Sequence, residues 1–371
     1  MKKYTKIISI LLMLCLALGL TACGGGREEE PPASGSDIVY SDLPSTSTDI
    51  YIPIPASGTD IQSASPGLPP VPDSELPMNV MVLNGATGFG MAKLMSEAEN
   101  GAAALNYSFQ VESDASNVTA ALISGSADIA ALPTNAAAAL YNKTGGKVQL
   151  LALNTLGVLY VVVNGEAESI SSMADLSGKT VYAPAQNPSF IFKYICQANG
   201  LGDVTIDNSY AQPADLRTAL AAGEVDIAVL PEPMVTIAES ANGKLVTALD
   251  LTAEWNAVAP VADSLVQGCV AVRADFAAEH PAEVAAFLDE YAQSIAYLSS
   301  GADDIGDIIE STGVFTNGAV AKKAVPNCNV CFVSGADMAA QMGTFLDIML
   351  ETAPESIGGA VPGEDFYYTK P

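Results

Sequence analysis

The fold of this chain is decided by ALISGSADIAALP at residues 121–133, because the same pattern returns as ALAAGEVDIAVLP at residues 219–231. Both copies match Ala-Leu-x-x-Gly-x-x-Asp-Ile-Ala-x-Leu-Pro, and their aspartates, Asp128 and Asp226, stand 98 residues apart. Each copy predicts a helix end, a glycine stop, a short buried strand and a proline that ends strand pairing. Two such units predict two similar α/β lobes, each presenting a loop at a strand's carboxyl end, where open α/β sheets bind ligands. The alternative is a chance recurrence of common α/β patterns.

The N-terminus has the pattern of a targeting segment. Three lysines precede an apolar run over residues 7–20, which is too short to span a bilayer comfortably. The Leu-Thr-Ala-Cys sequence at residues 20–23 resembles the lipobox of bacterial lipoproteins. The resemblance implies that residues 1–22 are a lipoprotein signal peptide and that a lipid on Cys23 anchors the protein to the extracytoplasmic face of the cell membrane. An ordinary secretory signal with a cysteine nearby is the alternative.

Composition and charge narrow the range of partners. Residues 23–77 begin with Cys23 and are rich in Pro, Ser, Gly and Thr, so we predict a disordered tether there. Without the signal peptide, 12 basic residues stand against 42 acidic ones, a net charge near −30. Such a charge argues against nucleic acid and anionic lipid as partners. The remaining residues, 78–371, are enough for two lobes with sizeable cores.

The cysteines point neither to a metal site nor to redox chemistry. Beyond Cys23, the mature chain has Cys196, Cys269, Cys328 and Cys331. The last two have the spacing of a redox motif, but they lie in a strand-like run and not at a helix N-terminus that would stabilise a thiolate. We therefore expect a structural or reduced pair, and no metal, because a second Cys/His pair is missing. The sequence leaves the oxidation state of the four open.

Further motifs resemble those of a known family. A predicted strand at residues 79–83 leads into a glycine-rich turn at residues 84–90, which has neither Walker nor dinucleotide-binding spacing. Asp-Leu-Ser-Gly-Lys-Thr-Val at residues 175–181 resembles the turn where solute-binding proteins of ABC importers cross into their second lobe. The signal, the tether, this turn and the doubled motif occur in the order expected for such proteins. Residues 78–300 resemble them, and in particular the thiamine-pyrimidine, nitrate and alkanesulfonate binding group.

This resemblance implies the fold class and the domain boundaries. It implies an α/β, two-lobed, type II periplasmic-binding-protein-like fold, in which each lobe is a mostly parallel sheet flanked by helices and the ligand cleft lies between the lobes. The first lobe would comprise residues 78–164 plus 264–371, and the second lobe residues 165–263.

Loops that follow the predicted strands should converge on the cleft and supply backbone N–H groups, hydroxyls, amides and one carboxylate. The ligand-binding candidates are Gly85, Thr87, Gly88, Phe89, Thr134, Asn135, Asn154, Thr155, Gln186, Asn187 and Glu232. Several of these residues have a structural alternative. Polar residues that precede helices could cap those helices, and Glu232 could stabilise a helix dipole. Phe89 could be a core residue instead of a stacking platform.

The distribution of arginine constrains the ligand. The chain has only Arg27, Arg217 and Arg273, and none lies in a predicted cleft loop. Because capture of an α-carboxylate usually needs a bidentate arginine, the sequence argues against amino acids and dicarboxylates as ligands. A neutral or weakly cationic heterocycle that donates to Glu232 fits slightly better than a small anion held by N–H groups, such as a sulfonate or nitrate.

The sequence thus predicts a lipid-anchored, monomeric solute-binding protein that closes on a small molecule and docks on an ABC permease in the membrane. It predicts no cofactor and no catalysis. One alternative is an orphan sensory or surface lipoprotein with the same fold. The other is an enzyme like the pyrimidine synthases of this fold, but the chain has a single histidine, His280, and no metal-ligand cluster.

Overall fold

The computed structural model describes residues 75–370, which form two β-sheets flanked by helices. The strands of the first sheet are β1 (Pro77–Leu83), β2 (Asn106–Glu112), β3 (Ile129–Pro133), β4 (Val148–Thr155), β10 (Gly268–Arg273) and β11 (Val330–Val333). The strands of the second sheet are β5 (Leu159–Asn164), β6 (Thr180–Tyr182), β7 (Thr205–Asp207), β8 (Ile227–Pro231) and β9 (Leu245–Asp250). The spatial orders are β11-β4-β10-β3-β1-β2 and β7-β6-β8-β5-β9.

Most strands of each sheet run in one direction, as expected. In the first sheet β1 to β4 share a direction, and only β10 and β11 oppose it. In the second sheet only β5 opposes the other four. The carboxyl ends of the parallel strands therefore lie at one edge of each sheet, which is where the candidate loops begin.

The helices cover the sheets and connect the strands. They are α1 (Ala86–Phe89), α2 (Ala92–Glu99), α3 (Ala115–Ser124), α4 (Thr134–Thr144), α5 (Asn187–Ala198), α6 (Pro213–Ala222), α7 (Met234–Ala241), α8 (Leu251–Val258), α9 (Ala274–Glu279), α10 (Pro281–Ser299), α11 (Ile305–Ser311), α12 (Gly318–Ala324) and α13 (Gly335–Thr352). Short 3-10 helices lie at Met173–Leu176, Val325–Asn327, Pro354–Ile357 and Glu364–Phe366.

The repeated sequence forms the same unit in both lobes. Helices α3 and α6 end at Gly125 and Gly223, whose φ angles of 76° and 75° lie in the left-handed region that favours glycine. Strands β3 and β8 follow, each with four buried residues and a partly buried proline. β3 lies between parallel β1 and antiparallel β10, and β8 lies between parallel β6 and antiparallel β5. The predicted two-lobed α/β fold is confirmed.

The equivalent aspartates of the two copies have different environments. Asp128 is 6 % exposed, and its carboxylate accepts hydrogen bonds from the backbone and side chain of Asn79 and from Arg273. Asp226 is exposed, and its side chain makes no hydrogen bond to any residue between 75 and 370. The shared sequence therefore fixes the backbone unit but not the contacts of its polar residue.

The chain passes between the sheets at two points, and the first differs from expectation. It leaves the first sheet after Thr155 and enters the second at Leu159, so β5 belongs to the second sheet although the sequence division assigned it to the first lobe. The string at residues 175–181 lies inside the second lobe, in a 3-10 helix and β6, and not at the crossover. A uniformly apolar strand is buried in either sheet, so its pattern does not tell which one it joins. The chain returns over residues 259–267.

Apolar packing joins the two lobes. One hydrophobic cluster contains first-lobe residues of β3, β4 and α13 together with second-lobe residues of α5 and α8. Within it Trp255 of α8 lies 6.1 Å from Phe345 of α13, measured between ring centroids. A second cluster fills the other face of the first sheet, and a third lies within the second lobe.

The signal peptide, Cys23 and all but the last residues of the proposed tether lie outside the described residues. Within residues 75–370 no helix has the length and apolar character needed to cross a membrane.

Candidate functional site

The glycine-rich loop after β1 is held close to the first sheet. Gly85 has a φ of 84°, and its N–H donates to the carbonyl of Val314 at 3.1 Å. A Cβ on Gly88 would collide with the carbonyl oxygen of Leu83, so the loop needs glycine at that position. The carbonyl of Thr87 accepts a hydrogen bond from Asn154 Nδ2 at 3.0 Å. The predicted residues of this loop and of the end of β4 are thus brought together.

Three of the predicted polar residues are bonded to the protein itself. Asn154 and Thr155 are each 1 % exposed, and the Thr155 hydroxyl donates to Asn154 Oδ1 at 3.0 Å. The fully buried Thr134 donates to the carbonyl of Val266 in the return crossover at 2.7 Å. A Cβ on Gly268 would collide with Asn154 Oδ1. These residues hold the loops next to the connections between the two lobes.

Phe89 is a core residue and not a stacking platform. Its side chain is fully buried in the first-lobe core, and its ring packs edge-on against Phe315 at 6.0 Å between centroids. The core position that the sequence left open is the one observed. Ala86 of the same four-residue helix is buried in this core as well, so α1 packs against it.

Asn135 and Asn187 each have a buried side-chain oxygen without a hydrogen-bond partner among the described residues. Asn135 lies in the first turn of α4 in the first lobe, and Asn187 begins α5 in the second lobe. Neither helix has a side-chain capping bond, so capping does not explain these amides. An unpaired buried acceptor costs about 1–3 kcal/mol, which makes both oxygens candidates for ligand contacts.

Gln186 immediately precedes α5 and is exposed, with a φ of 67°. It occupies the N-cap position of α5, and its carbonyl accepts from the N–H of Phe190. The helix therefore begins at Asn187, which places that residue inside its first turn and not at the cap.

Glu232, after β8, is a buried carboxylate on the second lobe. It is 4 % exposed and accepts from the N–H of Thr236 at 3.1 Å and from its hydroxyl at 2.9 Å, so it does bond to the first turn of α7. Burial raises the pKa of Glu232 above its usual value, while the bonds from Thr236 lower it. The carboxylate is thus poised to accept a further donor.

Asn327 is a site residue that the sequence analysis missed. It comes from the first lobe, and its Nδ2 reaches Glu232 Oε1 at 3.4 Å. Its carbonyl accepts from the Tyr160 hydroxyl of the second lobe at 2.8 Å. A lone asparagine between a short helix and an edge strand carries no sequence signal that it crosses between lobes.

Arginine is absent from the cleft-side loops of the described chain. Arg217 lies in α6 and contacts Thr218, and Arg273 lies at the opposite edge of the first sheet in ion pairs with Asp128 and Asp275. The polar groups that the strand ends supply are therefore amides, hydroxyls and the Glu232 carboxylate.

The four described cysteines are free, and three of them are buried. Burial raises the pKa of the Cys196 thiol to about 12 and also that of Cys331 to about 12. Cys328 packs in the first-lobe core, whereas Cys331 packs against the cluster shared by both lobes. Between residues 75 and 370, no group of three metal-binding side chains is present.

Comparison with solved structures finds proteins that share this fold. An ABC transporter structure from Parabacteroides distasonis has a TM-score of 0.66 and 24 % identity, covering 79 % of this chain and 99 % of that one. The periplasmic aliphatic sulphonate binding protein SsuA from Escherichia coli has a TM-score of 0.65 and 16 % identity, covering 80 % and 94 %. The ligand-binding component of an ABC-type import system from Staphylococcus aureus, with zinc bound, has a TM-score of 0.61 and 13 % identity, covering 79 % and 97 %. At these identities the similarity establishes the fold.

The family comparison covers the middle of the chain. No curated protein matches. The model of the family described as NMT1/THI5 like matches residues 102–303, which span both copies of the repeat and all of the second lobe. Because this region is more than half of the 371 residues, the chain belongs to the NMT1/THI5-like family.

Proposed function

We propose that this protein is the extracytoplasmic solute-binding component of an ABC importer and captures a small molecule between its two lobes. The observation that carries the proposal is the pair of buried, unpartnered amide oxygens, Asn135 on the first lobe and Asn187 on the second. Each follows a parallel strand at the edge where α/β proteins bind ligands. The structural neighbours from ABC transport systems support the same function.

The proposed ligand is a small heterocycle that donates hydrogen bonds, with pyrimidine-like compounds as the leading class. The amide oxygens of Asn135 and Asn187 and the carboxylate of Glu232 are all acceptors, so they favour N–H and O–H groups. A carboxylate ligand is disfavoured because the cleft-side loops bring no arginine. A small anion such as a sulfonate or nitrate is the second candidate, but it is less favoured because the N–H groups of Gly85 and Gly88 already donate to the carbonyls of Val314 and Gly85.

Capture would proceed by closure about the two crossovers, residues 156–158 and 259–267. Each lobe contributes part of the site, so only the closed form makes both sets of contacts with the ligand. The ligand consequently shifts the population toward closure by its differential affinity for that form. The closed protein would then dock on an ABC permease in the membrane.

The remaining parts of the proposal come from the sequence. A lipid on Cys23 would anchor the protein, the acidic surface would keep it soluble beside the membrane, and a monomer would suffice because one chain supplies both lobes. We propose no cofactor and no catalysis. His280 lies at the start of α10 with its ring 4.8 Å from that of Phe276, away from the candidate loops.

Calorimetric titration with aminopyrimidines, alkanesulfonates and nitrate tests the proposal. For a solute that binds, Asn135→Ala and Asn187→Ala should each weaken affinity by about 10- to 100-fold, since each removes a hydrogen bond from a desolvated site. Asn199→Ala is a matched control, because Asn199 lies exposed just after the other end of α5. Unchanged affinity in both variants would show that these amides are not the site, and a screen without binders would refute the proposed solute classes.

A further inference from the structure

Residues 325–329, here called the strap, connect α12 to β11 and touch both lobes. The strap is anchored in the first lobe, because the side chain of Cys328 is fully buried in the first-lobe core and β11 pairs with β4 at Thr155. It also holds the first crossover: Asn329 Nδ2 donates to the carbonyl of Gly157 at 2.6 Å, and the N–H of Leu156 donates to the carbonyl of Asn329 at 3.1 Å.

The strap meets the second lobe through Asn327. Its carbonyl accepts from Tyr160 on β5, and its amide reaches Glu232 just beyond β8. β5 and β8 are neighbouring antiparallel strands, and Leu159 lies opposite Pro231. Tyr160 and Glu232 are the residues that follow this pair in the chain, so the strap contacts both at the same end of the strand pair. Tyr160 and Glu232 are 9 % and 4 % exposed, whereas Asn327 is exposed, so both contacts are shielded from water on the second-lobe side.

We propose that the strap is a latch that holds the two lobes together through Asn327 and couples Glu232 to lobe opening. The two contacts join elements that share no sheet and no helix, and separation of the lobes has to break both. The inference rests on the proposed function in one respect, namely that the lobes must separate to admit a solute.

The two bonds of the latch differ in strength. The bond from Tyr160 at 2.8 Å has the ordinary length of a hydroxyl bond, whereas the contact of Asn327 with Glu232 at 3.4 Å is at the long limit. A solute that brings a donor to Glu232 can therefore replace the Asn327 amide at little cost. The Tyr160 bond would remain as the closing contact, so solute binding and latch closure are compatible.

Hydrogen exchange of the ligand-free protein tests the latch without any solute. The reporter amides are Leu156, bonded to the strap, and Val158, bonded to Gln267 of the return crossover at 2.7 Å. Tyr160→Phe should make both exchange about tenfold faster, which corresponds to about 1.4 kcal/mol. Amides within β3 and β8 should keep their rates, because opening leaves each sheet intact.

Two further variants separate a latch from general destabilisation. Asn327→Asp keeps the backbone carbonyl but places a second carboxylate beside Glu232, so it should also accelerate exchange at the crossover. Tyr297→Phe is the matched control, since that tyrosine donates to Asp304 within the first lobe. The latch is refuted if Tyr160→Phe leaves the reporter amides unchanged, or if it accelerates β3 and β8 equally. The exchange experiment can be interpreted even if the solute screen finds no binder, so the two proposals can fail separately.

Discussion

The two aspartates of the repeat make a matched pair for measuring what tertiary context adds to an identical sequence position. We predict that Asp128→Asn destabilises the protein strongly and that Asp226→Asn does not. The first carboxylate is buried and the second is exposed, although both stand at the same place in the repeated unit. Both substitutions conserve shape and remove one negative charge from a chain with a net charge of −27.

The magnitude follows from the bonds that Asp128 accepts. Its oxygens lie 2.9 Å from the N–H nitrogen of Asn79, 3.0 Å from that residue's Nδ2 and 3.1 Å from Arg273 Nη1. Hydrogen bonds to charged groups contribute about 1.5–3 kcal/mol each. Asparagine keeps one acceptor oxygen but turns an NH2 group toward a donor, so one to two bonds are lost. The expected cost is roughly 2–4 kcal/mol, against less than about 0.5 kcal/mol for the exposed Asp226.

Urea denaturation followed by circular dichroism measures both variants. Arg273→Gln, alone and combined with Asp128→Asn, completes a double-mutant cycle that isolates the ion pair, with an expected coupling of about 0.5–3 kcal/mol. Solute affinity should be unaffected, because Asp128 lies at the edge of the first sheet opposite the candidate loops. Equal and small losses for the two aspartates would refute the reasoning, since burial and bonding would then not distinguish them.

Three further predictions concern the site and its surroundings. Burial raises the folded-state pKa of Glu232, so protonation of this carboxyl stabilises the folded protein at low pH, and that stabilisation is lost as the pH rises through the raised pKa. Glu232→Gln should therefore be more stable than wild type at pH 8, and the difference in unfolding free energy should shrink toward pH 4. Denaturation curves at pH 8 and pH 4 measure this difference. A Cβ on Gly268 would collide with Asn154 Oδ1 and lie 2.8 Å from Thr155 Oγ1. Gly268→Ala should therefore lower the free energy of unfolding by about 1–3 kcal/mol and weaken solute binding. An unchanged unfolding free energy and affinity would mean that this region is loosely packed. The buried thiol of Cys196, with a pKa raised to about 12, should resist alkylation by iodoacetamide at pH 8 in native protein and react once unfolded; rapid native labelling would contradict its burial.

Part of the candidate site was predictable from sequence because loops that follow strands are local features. The strand, turn and helix that position Asn135, Asn187 and Glu232 each have their own turn and stop residues in the chain. What each side chain contacts was not predictable. Phe89 turned into the core, and Thr134 bonded to the return crossover, because neighbours distant in sequence supply those partners.

The inter-lobe contacts were the least predictable. Asn327 lies 95 residues from Glu232 and 167 residues from Tyr160 in the chain. The sequence around Asn327 has no feature that predicts a polar contact with the other lobe. Sequence periodicity reports whether a side chain is buried, but not against what it is buried. The strap therefore emerges only when β11 is placed at the edge of the first sheet beside β4.

The sequence by itself determined the doubled unit of helix, glycine, strand and proline, since periodicity and a left-handed glycine are properties of neighbouring residues. It thereby determined two α/β lobes. Only the tertiary structure decided that β5 joins the second sheet, that Asp128 is buried while Asp226 is exposed, and that the strap reaches Glu232. The physical reason is that these outcomes depend on contacts between residues far apart in the chain. The same buried strand can pair in either sheet, and the same aspartate can be bonded or exposed, depending on which residues the fold places beside it.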